Sequence, residues 1–559
     1  MVNVKNLFGM AVMATALVGC SSNDNLAPDG KDNVGKTGEA YASFTINLPT
    51  TRATRATDGE PAFAEGDAKE YEVKNGTILI FTNDGKFVTS AQLGNMNPWK
   101  DIKTNGVTTA ATATVQLSGV EVGGSYQALV LLNNDVDATT KVKLPTTGES
   151  YADWNANAAN ATAAYTNTDY IFMANAPKYT DTKTEPTTLV PVANICASRE
   201  QAEAKAATTV YVERGLAKVT MQNFAADGYA IADGTYKGDK VEIKAWQLDV
   251  TNKSTFPVHQ TDGLSSASTG FADIWKTDRF YDGSNTAFKR VYWGVDPNYN
   301  NSDYQTLANC KTAFNMITKD KVVGEAGNAH PQYCLENTFD LDNMKQGQTT
   351  RVVFKAVYTP NTFTSGQTFY KIGNNTAIWS EENLAQQIKT VAVTAMGITD
   401  AAEQDKYSVD LSKGSNISGV AGQHLVEAGN IIYSGEAASS KVKEAVVNAI
   451  NEKLGLTAKT GISTYLNGEA YYIARIKHFN ELTPWTAGTP YNGDNNAFLG
   501  RYGVLRNNWY DLSVRSISGL GYPDVPEVKP TVPDDENEQF INVEVKILDW
   551  AKRSQSIDL

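Results

Sequence analysis

FINVEVKILDW, residues 540–550, is the stretch of this chain that indicates its fold most strongly. Apolar and polar residues alternate in it, with Ile541, Val543, Val545 and Ile547 on one face, and this is the period of a β-strand with one buried face. The preceding residues 522–536, YPDVPEVKPTVPDDE, combine four prolines with an acidic run, which predicts an extended, semi-rigid spacer. A strand at the end of such a spacer suggests pairing with a distant sheet edge, such as that of a second copy.

The N-terminus has the features of an export signal. Lys5 gives it a positive start, and residues 7–18 form an apolar run that is too short for a permanent membrane-spanning helix. The run ends in LVGC, residues 17–20, which resembles the cleavage box of bacterial lipoproteins. This resemblance implies that Cys20 becomes the lipidated first residue and that lipid anchors the precursor in the cell outer membrane. The alternative is an ordinary signal peptide in which Cys20 has no role.

A second alternating strand lies near the N-terminus, at residues 41–48, and its apolar face comprises Ala42, Phe44, Ile46 and Leu48. The residues that follow, TRATRATDG at 51–59, place two Arg-Ala bonds in a polar, glycine-bearing segment of the kind that proteases cut. Arg52 and Arg55 are therefore candidate cleavage sites. An uncut surface loop that contains two arginines is the alternative.

The two terminal strands each present four apolar side chains at every second position, so either strand could fill the same apolar groove. A cut after Arg52 or Arg55 would free the first strand to leave, and the last strand of another copy could replace it. This arrangement predicts polymerisation by β-strand addition. The alternative is that residues 540–550 form an ordinary last strand of their own domain, because the spacer is long enough to fold back.

The lipoprotein box, the Arg-Ala site and the terminal strand after a proline-rich spacer together resemble the fimbrillin family of Bacteroidia, the subunits of type V pili. The pattern is most similar to the shaft subunit of the minor (short) fimbriae. Local matches lie at residues 55–59, 130–135, 212–219, 506–510 and 543–550. Residues 260–350 and 360–430 match poorly.

This resemblance implies two tandem β-sandwich domains of transthyretin-like, Greek-key type, with a few short helices. It implies the shaft subunit of an adhesive cell-surface fimbrium, which binds other copies of itself and anchor and tip subunits after an Arg-specific protease has cut the precursor. Cleavage after Arg55 fits the family pattern better than cleavage after Arg52. The first strand would occupy the groove until it is displaced. The donor strand would present Ile541, Val543, Val545, Ile547 and Trp550.

The predicted organisation is a signal peptide at 1–19, a propeptide at 20–55, an N-terminal sandwich at 56–205, a C-terminal sandwich at 206–521, and the spacer with its donor strand at 522–559. The domain boundary falls in the polar, alanine-rich residues 201–208, so that the strand at 210–214 opens the second sandwich. Residues 126–132 have too little alternation for a half-exposed strand, which predicts a central one. Helices are predicted after Ser440 as N-cap, with Gly455 past the end, and near 381–389.

Composition excludes several classes of function. The 559 residues carry a formal net charge of −13 without a block of lysine or arginine, which argues against nucleic acid as a partner. The sequence has no zinc, nucleophile-elbow or phosphate-loop motif, so we predict no enzyme, no catalytic residues, no metal and no cofactor. Cys310 and Cys334 could pair and leave Cys196 odd, or these cysteines could be free buried thiols.

The rival function is that of a monomeric, outer-membrane-anchored lipoprotein that binds glycans or host proteins; a fimbrial tip or accessory subunit is a nearer alternative. Aromatic pairs at 292–293, 471–472 and 509–510 could stack on sugars, although core or cross-strand packing is their ordinary role. A binding lipoprotein should keep its N-terminus and has no use for a proline-rich spacer and a terminal strand.

Overall fold

The computed structural model of the chain describes residues 39–48, 67–71, 73–94, 100–103, 107–134, 142–157, 165, 170–179, 186–262, 289–291, 293–438, 440–478, 499–534 and 541–549. Four of the predicted site residues, Cys20, Arg52, Arg55 and Trp550, lie outside these ranges, as does the predicted signal peptide. None of the helices within the ranges is long and apolar enough to cross a membrane.

Strands provide most of the regular structure, which confirms the predicted all-β class with a few helices. The first fourteen strands are β1 (Glu39–Leu48), β2 (Gly76–Thr82), β3 (Phe87–Gln92), β4 (Lys100–Lys103), β5 (Val107–Ser118), β6 (Tyr126–Leu132), β7 (Met173–Asn175), β8 (Lys178–Tyr179), β9 (Val190–Pro191), β10 (Thr208–Arg214), β11 (Ala217–Met221), β12 (Tyr229–Ala230), β13 (Lys240–Asp249) and β14 (Thr251–Asn252). The others are β15 (Lys289–Arg290), β16 (Phe314–Asn315), β17 (Gln332–Cys334), β18 (Arg351–Thr359), β19 (Phe369–Ile372), β20 (Ile378–Trp379), β21 (Tyr407–Val409), β22 (Gln423–His424), β23 (Ile431–Tyr433), β24 (Glu436–Ala437), β25 (Ile462–Tyr465), β26 (Glu469–Arg475), β27 (Asn508–Ile517) and β28 (Ile541–Asp549). The helices are α1 (Ala68–Tyr71), α2 (Tyr151–Asn157), α3 (Arg199–Ala204), α4 (Leu307–Ala313), α5 (Glu381–Ala395), α6 (Ala401–Gln404) and α7 (Glu444–Lys453).

The N-terminal part builds one sheet in the order β3-β2-β6-β7-β10-β1-β5-β4, with β9 paired to β6. Both faces of its centre are covered, because alternate residues of β6 enter different apolar clusters: Val130 and Leu132 enter one, and Leu129 and Leu131 enter the other. A strand buried on both faces has a nearly continuous apolar sequence, which explains the missing alternation. The predicted central position of residues 126–132 is confirmed.

Strand β10 does not open the second sandwich as predicted. It pairs with β7 and with β1 in the first sheet. The physical reason is burial, since Val210 and Val212 are fully buried in the same apolar cluster as Phe44 and Ile46. The polar connection predicted just before it contains helix α3. The other predicted segment limits stay predictions.

The C-terminal part contains two facing sheets, β17-β11-β27-β28 and β12-β13-β18-β26. One apolar cluster joins them: Val219 and Leu512 come from the first sheet, and Trp246, Phe354 and Tyr472 come from the second. All five side chains are fully buried. Burying a large apolar side chain stabilises a fold by about 1.5–3 kcal/mol, so this core can hold β28 at the edge of its sheet.

A smaller unit lies between β18 and β26, where the sequence predicts only the C-terminal sandwich. It comprises the sheets β20-β19-β25-β22 and β21-β23-β24 with helices α5, α6 and α7, and it has its own apolar cluster around Leu384, Ile388 and Ile450. Its strands have only two to four residues, too few to show an alternating pattern. The unit is therefore a finding of the structure.

Both helices predicted in this unit are present, with different limits. Helix α5 begins after its N-cap Ser380, as its acidic first turn favours, and continues to Ala395. Helix α7 starts at Glu444 with Lys443 at its N-cap position, so the predicted N-cap is wrong: Ser440 lies in the preceding turn. Gly455, with φ of 70°, follows the end of α7 as predicted.

Candidate assembly site

Strand β1, the predicted groove-filling strand, lies in the interior of the first sheet. Along its whole length it pairs antiparallel with β5, from Glu39 with Ser118 to Leu48 with Thr109. On its other edge, residues 44–47 pair parallel with β10. If β1 left, backbone donors and acceptors of both neighbours would lose their partners, which is unfavourable in a sheet interior. The vacated position, here called the β1 slot, would therefore favour a replacement strand.

One face of β1 fills the core beneath the sheet. Ala40, Ala42, Phe44 and Ile46 are fully buried in one apolar cluster. Ala42, Phe44 and Ile46 belong to the predicted set, which also includes Leu48, the last residue of the strand. Ala40 supplies the fourth buried side chain. The groove is thus filled at every second position from Ala40 to Ile46.

Helix α3 covers the opposite face of β1. The Ser43 hydroxyl, 7% exposed, donates a hydrogen bond of 2.9 Å to the Ala202 carbonyl oxygen. The Arg199 guanidinium lies 5.9 Å from the centre of the Tyr41 ring. The backbones of Tyr41 and Cys196 exchange two hydrogen bonds of 2.8 and 2.9 Å, which hold the segment that leads into α3. Strand β1 is therefore fixed on both faces as well as on both edges.

Strand β28, the predicted donor, closes the sandwich of its own chain. It pairs antiparallel with β27 along its whole length and is an edge strand of the described sheet. Val543 is 9% exposed and belongs to the core of the C-terminal sandwich. Ile541, Val545 and Ile547 lie in the same paired strand. The last strand therefore folds back onto its own domain, which is the alternative that the sequence left open. In the same structure β1 itself occupies the β1 slot.

The proline-rich segment before β28 is held against the C-terminal sandwich. Tyr522 and Tyr471 exchange two backbone hydrogen bonds of 2.8 Å, and Arg351 Nη2 donates to the Pro526 carbonyl oxygen at 2.8 Å. Val525 and Val528 are 8% and 5% exposed. The predicted spacer is therefore corrected for residues 522–534, here called the docked segment, because its carbonyl groups and valines find partners on the sandwich.

A buried ionic cluster joins the two halves of the chain just after the predicted cleavage sites. Lys218 Nζ on β11 lies 2.7 Å from Glu70 Oε1 on α1, and their side chains are 2% and 0% exposed. The Tyr333 hydroxyl donates to the same carboxylate oxygen, and Arg214 Nε donates to the Glu70 backbone oxygen. The ammonium group also lies 3.9 Å from the centre of the Trp509 ring. Sequence reasoning missed this cluster, although two cations within apolar strands were a signal for it.

Cys196, Cys310 and Cys334 are free and buried, so the pairing of Cys310 with Cys334 does not form. Burial raises the pKa of the Cys334 thiol to about 12, which keeps it protonated and unreactive. In the described ranges, no group of three or more histidine, cysteine, aspartate or glutamate side chains could hold a metal ion.

The aromatic side chains considered for carbohydrate stacking are buried wherever the structure describes them. Side chains that are at most 5% exposed include Trp293, Tyr471, Tyr472, Trp509 and Tyr510. A sugar ring needs an accessible aromatic face, so these side chains do not form a stacking platform in this conformation.

Comparison with known families identifies the C-terminal part of the chain. Residues 463–556 match the family described as major fimbrial subunit protein type IV, fimbrillin, C-terminal. This segment, here called the fimbrillin segment, is similar to the C-terminal part of fimbrillins. The fimbrillin segment contains β26, β27 and β28, and therefore both the predicted donor strand and the strand to which it pairs here. The match confirms the resemblance to the fimbrillin family, and it supports a fimbrial subunit of the cell surface.

Several solved structures are similar to the chain at low sequence identity. A candidate cell adhesion protein from Parabacteroides distasonis is 10% identical, covers 92% of this chain and 98% of its own, and has a TM-score of 0.38. The tip fimbrial protein Mfa3 from Porphyromonas gingivalis, with C-terminal truncation, is 10% identical over 91% of this chain and 100% of its own, with a TM-score of 0.30. A fimbrial assembly protein from Parabacteroides distasonis is 14% identical, and the match covers 60% of this chain and 92% of that protein, with a TM-score of 0.26. Because the TM-scores and identities of these structures are so low, we draw no conclusion from them, and the family assignment rests on residues 463–556 alone. A search of curated proteins finds no match.

Proposed function

We propose that the chain is the shaft subunit of an adhesive cell-surface fimbria. It is exported as a lipoprotein on Cys20, cut after Arg55 or Arg52, and polymerised when β28 of one copy enters the β1 slot of the next. Anchor and tip subunits complete the fimbria. The observation that carries this proposal is the position of β1, since it is the described strand upstream of the Arg-Ala bonds and it completes the interior of the first sheet.

The two positions available to β28 differ in the number of strand edges that they offer. In its own sandwich β28 pairs with β27, whereas the β1 slot has β5 on one edge and β10 on the other. Each hydrogen bond contributes about 0.5–1.5 kcal/mol net, so the second edge favours the slot. Four apolar side chains would fill the groove at about 1.5–3 kcal/mol each. The transfer of β28 from an edge to an interior position is therefore favourable once the slot is empty.

The cut controls when the slot becomes available. While β1 is attached, it competes as an intramolecular partner, and a short linker gives it an effective concentration in the millimolar range. After cleavage β1 becomes a separate peptide, and once it has dissociated it is diluted. An uncut precursor therefore stays monomeric during export, and polymerisation begins where the protease acts.

The protein from the cell surface is expected to begin at Ala56, or at Ala53, and to migrate as a series of polymer bands in unboiled gels. N-terminal sequencing beside the gel measures both properties. The double variant Arg52→Ala/Arg55→Ala is expected to keep its lipidated N-terminus and to give a single monomer band, because β1 stays attached. The matched pair Arg52→Lys/Arg55→Lys keeps the charge and should also stay uncut by an Arg-specific protease. A wild-type protein with an intact lipidated Cys20 and one monomer band would instead support the anchored binding lipoprotein.

Val543→Asp is expected to abolish the polymer bands. An aspartate at this position would have to be buried without a partner, both in the chain's own core and in the β1 slot of another copy, and such burial costs several kcal/mol. Asn542→Asp is the control, since it adds the same charge at an alternate position of the strand. Circular dichroism and limited proteolysis would show that the first sheet remains folded. Polymer bands of normal length from Val543→Asp would contradict the donor role of β28.

A further inference from the structure

The docked segment is fixed to the C-terminal sandwich up to its last residue. The Gln346 N–H donates to the Val532 oxygen at 2.9 Å, and the Asp534 N–H donates to the Met344 oxygen at 3.1 Å. The fully buried Asp534 carboxylate accepts a hydrogen bond of 2.9 Å from the Thr349 hydroxyl. A buried carboxylate is costly to leave without partners, so Asp534 is a firm anchor immediately before the donor strand.

The length of chain after this anchor limits the reach of β28. Ile541 is the seventh residue after Asp534. A chain spans at most about 3.6 Å per residue, which gives a reach of about 25 Å. Detaching the docked segment as well would extend the reach to more than twice this distance. It would also break the Asp534 and Arg351 hydrogen bonds and expose two valines, whereas moving β28 alone breaks its pairing with β27 and withdraws Val543 from the core. Moving β28 about a hinge after Asp534 is therefore less costly than detaching the docked segment as well.

We infer that the docked segment stays on its own subunit in the fimbria, and that the first sheet of the receiving copy docks against the face around Asp534. This inference rests on the proposed strand exchange and names the surface that the exchange uses. The docking face comprises residues 340–346 and 529–534, and its exposed and half-buried side chains include Leu341, Asp342, Lys345, Lys529, Thr531 and Val532.

The occupant of the docking face is a second copy of this chain because the short reach leaves little room for anything else. An end of the next β1 slot must come within about 25 Å of Asp534, so the receiving sandwich must lie against the surrounding surface. The face combines apolar side chains with charges of both signs, a composition suited to an interface with a polar rim. A receiving copy elsewhere on the surface would require the docked segment to detach.

A disulfide across the anchor tests whether the docked segment detaches. The hydrogen bonds of residues 344, 346, 532 and 534 make Lys345 and Pro533 a non-hydrogen-bonded antiparallel pair. The Cα atoms of such pairs lie about 4.5 Å apart, which suits a disulfide. The oxidised variant Lys345→Cys/Pro533→Cys, after cleavage by an Arg-specific protease, is expected to polymerise as well as the same protein in its reduced form. If only the reduced form polymerises, the docked segment must detach and the inference is overturned.

A bulky label tests the docking face itself. Thr531→Cys, coupled to a large polyethylene-glycol maleimide, is expected to lose its polymer bands after cleavage. Lys453→Cys, on the exposed surface of α7, carries the same label as control and should polymerise normally. Unimpaired polymerisation of labelled Thr531→Cys would overturn the docking face. Failure of the unlabelled wild-type protein to polymerise would instead overturn the strand exchange, and this inference with it.

Discussion

Lys218→Met is expected to destabilise the uncut protein by about 3–5 kcal/mol, the usual cost of removing one partner from a buried ion pair. The Glu70 carboxylate would lose the ammonium group 2.7 Å from its Oε1 atom, and at 0% exposure water cannot replace it. Methionine keeps the length and most of the apolar stem of lysine, so it can still pack against Trp509. The loss would therefore report the missing charge rather than a cavity. Urea unfolding followed by circular dichroism measures it.

The double variant Glu70→Gln/Lys218→Met is the control for this effect. It removes both charges and is expected to recover most of the lost free energy of unfolding, since an uncharged pair leaves no isolated buried ion. A double variant that is as unstable as Lys218→Met would show that packing, not charge, is responsible. A change below about 1 kcal/mol in the single variant would show that the pair is solvated in solution.

The position of this cluster would give it a role in the proposed maturation. Glu70 lies on α1, between the Arg-Ala bonds and β2, and its partner lies on β11 in the C-terminal sandwich. Cleavage would leave this part of the chain as the new N-terminal region. The ion pair would then hold that region in place while β1 departs, so the first sheet would lose one strand without further unfolding.

Local pattern explains why most strands could be predicted from the sequence. Alternation in residues 41–48 and 541–547, and the continuous apolar run at 126–132, are properties of neighbouring residues, and they reveal the strands. In residues 41–48 the alternation also reveals the face on which Ala42, Phe44 and Ile46 are buried. The end of a strand is set by its surroundings instead. This is why strand β1 already begins at Glu39, and why Ala40, which the predicted set omits, is completely buried.

Long-range packing explains what the sequence did not reveal. The place of β10 in the first sheet depends on contacts of Val210 and Val212 with a strand more than 160 residues earlier in the chain. The composition of residues 522–534 contains no information about the carbonyl and side-chain partners that hold this segment on the sandwich. In the same way, Lys218 is visible as a cation in an apolar strand, whereas its partner Glu70 carries no local signal.

Phe44→Ala is expected to destabilise the uncut precursor by about 3–5 kcal/mol and to leave the assembled polymer unchanged. Phe44 is fully buried in the cluster beneath the first sheet, so truncation leaves a cavity that the surrounding strands only partly fill. The proposed cut removes this residue together with β1, and the polymer then contains a different strand in the slot. The same variant should polymerise faster after cleavage, because a weakened β1 dissociates sooner.

The measurement compares urea unfolding of the precursor with the temperature at which polymer bands dissociate in detergent. Thr45→Ala, on the half-exposed opposite face of β1, is the matched control and should change the free energy of unfolding only slightly. A Phe44→Ala polymer that dissociates at a lower temperature than the wild-type polymer would mean that β1 remains in the mature subunit. In that case the slot is never emptied, and β28 must join another edge. The pair of measurements thus separates a strand that protects the precursor from one that belongs to the fimbria.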